Sequence, residues 1–158
     1  MLSTVIQKDI ASILTPKIGA AITSLTAGGG GDNTAVVGLT IDRAALGLPL
    51  CAQLTIAWEA VLAAAATLTL KNVLIEQSAD GTNWDATAYK TFTDPGVVAT
   101  GPGGGGTVRG ATEFSVDLQS AKQFVRVKHT PDLSAANTDT AKTSPVWNFA
   151  GFDRLPSA

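Results

Sequence analysis

The chain has one cysteine, one histidine and few charges: Asp, Glu, Lys and Arg make up 15% of its 158 residues, against about 25% in an ordinary soluble domain. A single cysteine excludes an intrachain disulfide. Cys51 lies in the apolar stretch "LGLPLCAQL" with no His or Asn context to activate it, so it is expected in the core. One histidine and one cysteine are too few for a zinc ligand set. With a net charge of -2 and a pI near 5.2, and with basic residues scattered, no field draws in nucleic acid. No apolar run reaches the ~20 residues a membrane helix needs. "AVLAAAATLTL" (60–70) is bounded by Glu59 and Lys71. The opening "MLSTVIQKDIASIL" lacks a cationic n-region and reads as no secretory signal, which implies synthesis in a cytoplasm. So little charge implies a surface partly covered, by copies of the chain or by a larger assembly.

What the sequence does have is glycine, with 16 residues, and alternation. The length suggests one domain. "AQLTIAWEA" sets Leu54, Ile56 and Trp58 on one face and Gln53, Thr55 and Glu59 on the other, the period of a half-buried strand. "TLTLKNVLIEQ" starts with Leu68 and Leu70 inward and then loses phase, which predicts either burial on both faces or a bulge. "TEFSVDLQ" turns Phe114, Val116 and Leu118 inward. "QFVRVKHT" does the same with Val125 and Val127. "TAVVGLTID" (34–42) and the aromatic "PVWNFAGF" (145–152) complete a set of about seven or eight short strands. Asp80-Gly81 marks a tight turn, and the alanine run 63–66 reads as a loop or single turn. The expected fold is an all-β sandwich or barrel over residues 32–158.

Ahead of it, residues 1–31 read as an N-terminal arm with a Gly-rich hinge. Ile6, Ile10, Ile13, Leu14, Ile18, Ile22 and Leu25 recur at spacings of three and four, a helical stripe. Pro16 and the Thr/Ile content oppose a helix. An extended arm leaning on a partner is preferred over a broken helix, and these seven residues are the expected assembly contacts.

The search for chemistry returns little. "GPGGGG" (101–106) fits the G-x-G-x-x-G template, but an alternating strand follows where a helix must receive the phosphate. No lysine completes a P-loop either. Both glycine tracts, this one and "AGGGGDN" (27–33), read as flexible spacers. Asp132 and Asp139 lack calcium-loop spacing and are assigned to a solvated loop. His129 alternates with Val125 and Val127 and reads as a packed or edge histidine. No acid pair is nominated, so neither an enzymatic role nor a cofactor is expected. Trp84 and Tyr89 are the candidates for exposed aromatics, and a sugar-binding face built on them is one alternative function.

Three stretches resemble a family. "GGDNTAVVGLTIDR" (30–43), "VLIEQSADGTNWDA" (73–86) and "AKQFVRVKHTPDLSA" (121–135), with "GFDRLP" near the chain end, are similar in content and order to tailed-bacteriophage capsid decoration (cement, or minor capsid) proteins. The resemblance implies a jelly-roll-like antiparallel β-sandwich and a non-enzymatic virion protein made in the host cytoplasm. It also implies a homotrimer on the outer surface of the head, with the major capsid protein as partner and no nucleic acid or membrane bound. Another virion subunit (tail-tube, tail-terminator or head-completion) is the second alternative.

Overall fold

A computed structural model describes residues 10–134 and 138–152. Ile6 therefore lies outside the described residues. The strands are β1 (Thr15–Ile18), β2 (Thr23–Thr26), β3 (Val36–Val37), β4 (Ile41–Asp42), β5 (Cys51–Leu62), β6 (Thr67–Ser78), β7 (Lys90–Thr91), β8 (Gly96–Thr100), β9 (Gly106–Asp117), β10 (Phe124–Leu133) and β11 (Thr140–Ala150). They form two antiparallel sheets. Sheet A has the order β1-β11-β5-β9, with β2 also on β11; sheet B has β3-β10-β6-β7, with β4 on β10 and β8 on β6.

Three strand positions are each split in two. β1 and β2 run end to end along β11, β3 and β4 along β10, and β7 and β8 along β6. With each split pair taken as one position, sheet A runs first-eighth-third-sixth and sheet B second-seventh-fourth-fifth. This is a long antiparallel ribbon rolled up on itself, the jelly-roll arrangement that the resemblance implies and one of the all-β forms that the alternating pattern allows.

Alternation places the core. Leu54 and Ile56 of β5, Val125 and Val127 of β10, and Trp147 and Phe149 of β11 are fully buried between the sheets. The Trp147 and Phe149 rings stack with centroids 5.3 Å apart. A second cluster, with Leu25, Leu62, Leu68 and Leu133, closes the other end.

The loss of phase in β6 is a bulge. Lys128 pairs with Leu74 and Thr130 with Lys71, so Asn72 and Val73 together face His129. Asn72 takes a left-handed φ of 50°, and its N–H donates to Asp94 at 2.6 Å. Burial consequently moves from Leu68 and Leu70 to Val73 and Ile75. One extra residue reverses the inward face.

Four expectations need correction. Residues 15–26, read as arm, are strands of sheet A, and Leu25 is 2% exposed in the core. Cys51 is exposed, because Leu54 and Ile56 inward put residues 51 and 53 outward. Asp139 is buried, where its carboxylate accepts the Ala63 N–H at 2.8 Å and caps the turn between β5 and β6.

The spacer reading of the glycine tracts also changes. A Cβ at Gly31, whose φ is +81°, would lie 2.5 Å from the Ser24 carbonyl oxygen. The Gly28 N–H donates to the Asp32 carboxylate at 2.8 Å, so that tract is a stitched turn. In the second tract Gly101 donates its N–H to Ala66 and accepts one from Ala65.

Candidate assembly surface

The motifs that carry the family resemblance prove to be fold devices. Asp32 accepts the Leu133 N–H at 2.8 Å, anchoring the first glycine turn to β10. Arg43 is buried, and its guanidinium donates to the carbonyls of Ala121, Lys122, Pro49 and Leu118. It thereby ties the connection after β4 to the one after β9; burial pulls its pKa down. Asp80 accepts N–H groups from Thr82 and Asn83 and the Asn83 side-chain amide. These bonds hold its carboxyl well below the usual range. Gln77 and Lys122 both bond Asp85, and Lys122 is the main cause of its lowered pKa.

The candidate aromatics are partly covered. The Arg126 guanidinium sits 3.9 Å over the Trp84 ring and pairs with Glu76 at 2.6 Å. The Tyr89 hydroxyl donates to the Asp117 carbonyl at 2.9 Å. Both residues are half-buried. Arg126 thus takes one face of the Trp84 ring on which a sugar could otherwise stack.

His129 is not placed for catalysis. It is fully buried, with Nε2 3.1 Å from the Thr143 hydroxyl, and burial pushes its pKa down to about 4. Among the described residues no three His, Cys, Asp or Glu side chains gather to hold a metal. Likewise, no helix there is long and apolar enough to cross a membrane. The glycine tract 101–106 joins β8 to β9, so no helix N-terminus stands behind it to receive a phosphate.

What the surface offers is apolar. Ile18 is 61% exposed, Ile22 71%, Val37 50% and Leu39 51%. The first two flank the turn between β1 and β2; the other two lie on and just after β3. Leu39 donates its N–H to Gly19 at 2.7 Å, and Gly38 donates to Val127 at 2.8 Å. Those bonds hold the two segments side by side on one lateral edge of the sandwich. Each of the two segments that meet there thus carries two exposed aliphatic side chains, Ile18 and Ile22 beside sheet A and Val37 and Leu39 beside sheet B.

The other expected contacts divide. Ile10 is exposed; Ile13 and Leu14 are half-buried. Leu14 lines a groove of about 800 Å³ on the outer face of sheet A, with Cys51, Gln53, Tyr89, Asp117 and Asn148. Val37 and Leu39 were missed by the sequence reading. They fall in a stretch read only as strand, and nothing local says that this strand lies at an edge.

No family model matches the chain, and no curated protein matches it. Among solved structures it is similar to the PBSX exported protein XepA, at 18% identity and a TM-score of 0.44 over 91% of this chain and 39% of that one. It is also similar to the infectious bursal disease virus Gx strain structure, at 14% identity and a TM-score of 0.45 over 90% of this chain and 34% of that one. The chain thus spans less than two fifths of either.

Proposed function

We propose that this chain is a non-enzymatic virion structural protein that decorates the outside of a phage head shell, with the major capsid protein as its partner. The observation that carries the reading is the lateral edge bearing Ile18, Ile22, Val37 and Leu39. The ionisable side chains support it, because they serve the fold. Arg43 and Asp80 bind backbone, while Lys71, Arg109, Lys122, Arg126 and Lys128 pair with carboxylates. The ordered motif resemblance supplies the identity of the shell.

A cement protein gains free energy by covering apolar and main-chain surface on neighbouring subunits, repeated many times around a particle. An edge whose two segments each carry two exposed aliphatic side chains suits that task. The test is co-sedimentation of the purified chain with expanded head shells that lack it. We expect the wild type to pellet with the shells and the Ile18→Glu/Ile22→Glu variant to bind about tenfold or more weakly, since two carboxylates would be desolvated at the contact. Wild-type protein that stays in the supernatant at all concentrations rejects the reading.

A further inference from the structure

The four edges of the two sheets differ in one respect. At one edge of sheet A, β1 and β2 have four residues each, and β1 contains Pro16. In sheet B, β3, β4 and β7 have two residues each, and β8 has five with a register shift against β6. Short strands, a proline and irregular pairing are how natural sheets keep their edges from pairing with other chains. The remaining edge, β9, has none of these. It runs 12 residues, roughly 40 Å, and pairs with β5 residue for residue from Cys51–Asp117 to Leu62–Gly106 with no shift. Tyr89 takes the Asp117 carbonyl. Among the described residues nothing lies hydrogen-bonded along the rest of its outer side.

We propose that β9 is the seam of a two-fold dimer, pairing antiparallel with β9 of a second copy about an axis at Ala111. The residue pattern selects both the partner and the register. Thr107, Arg109, Ala111, Glu113 and Ser115 lie on the outer, exposed face; Val108, Thr112 and Phe114 turn inward and are half-buried. Facing side chains must share a face, so only registers pairing odd with odd positions are open. With Ala111 opposite Ala111, Arg109 of each copy, whose exposed guanidinium also pairs with Glu59 of its own chain at 2.6 Å, meets Glu113 of the other, and Val108 meets Phe114. Two opposite-charge pairs and two apolar–aromatic pairs then form at once, the combinations that stabilise neighbouring strands. An axis at Arg109 or Glu113 sets like charges against each other. An axis at Gly110 or Thr112 leaves both charges opposite neutral or unlike-sized neighbours.

An isologous strand pair closes on two copies, in place of the trimer that the family resemblance implies. It also extends sheet A across the dimer and puts the two aliphatic edges at its far ends. One dimer would thereby offer two shell contacts. The pairing does not rest on the shell reading and is measured without any shell.

The experiment is sedimentation velocity on the purified chain. The wild type should be a dimer. Glu113→Arg and Arg109→Glu, each alone, should self-associate about tenfold or more weakly, because each sets two like-charge pairs in the seam. Mixed together the two variants should dimerise again. One copy then carries cations at both positions and the other carboxylates at both, so every facing pair is again of opposite sign. Recovery on mixing excludes misfolding as the cause of the losses. A wild-type monomer or trimer overturns the proposal. So does a dimer indifferent to both substitutions, or a pair of variants that does not recover on mixing.

Discussion

Acidification from about pH 7 to about pH 4 is expected to cost the fold about 3 kcal/mol through His129 alone. In the unfolded chain the imidazole titrates near 6.5; in the folded chain burial lowers it to about 4. The geometry explains the direction. Only Nε2 faces an oxygen, that of Thr143 at 3.1 Å, and Nδ1 is buried without a partner among the described residues. Protonation would put a charge and an unmatched donor between the sheets.

Between the two pKa values the unfolded state binds a proton that the folded state refuses, so stability falls as pH falls. Each pH unit in that window is worth about 1.4 kcal/mol. Above about 6.5 both states are neutral and His129 contributes no slope. Asp80 and Asp85 act lower. Their carboxyls are held below the ordinary value of 3.8, so their stabilisation is present above that value and fades beneath it. Urea unfolding midpoints at a series of pH values check this, with His129→Gln beside the wild type. The variant should lose the slope between about pH 6.5 and 4. Parallel losses in both proteins would show that His129 is not the cause.

Gly101→Ala is expected to cost about 1–3 kcal/mol, the ordinary penalty of forcing atoms into a filled space. The added methyl would sit 1.9 Å from the Ala63 carbonyl oxygen. Neither side can yield easily, since Gly101 donates to Ala66 at 2.7 Å and accepts from Ala65 at 3.1 Å. Three residues on, Gly104 has nothing within 4 Å of the same position and no left-handed φ. Gly104→Ala should therefore be neutral, or stabilising by about 0.4–1 kcal/mol through the unfolded chain. Thermal unfolding of the two variants separates a tract that is slack throughout from one fastened at its first residue. Equal behaviour would restore the slack reading.

The resemblance motifs show how far local chemistry reaches. Asp80-Gly81 turns because the Asp80 carboxylate can take three N–H groups within its own four-residue neighbourhood. That requirement is visible in the letters. Arg43 is different: its acceptors on Ala121, Lys122 and Leu118 lie more than seventy positions away. The sequence reading could quote the residue but could not find its task. The aliphatic edge was half legible for the same reason. Ile18 and Ile22 stood out by spacing, whereas Val37 and Leu39 join them only because Leu39 hydrogen-bonds to Gly19.

By itself the sequence determined the all-β class, the inward faces of β5, β9 and β10, the turn at Asp80-Gly81 and a bulge as one of two readings of β6. Each follows from side-chain alternation or from a neighbour within a few residues. The tertiary structure alone decided that residues 15–26 join sheet A, that Asp139 is buried, that Gly101 is packed and that β9 is, among the described residues, a long open edge. Those outcomes depend on which strand lies alongside which. Thr15 meets Phe149 and Thr26 meets Thr140 across nearly the whole chain, and pairing at that distance leaves no periodicity in either partner.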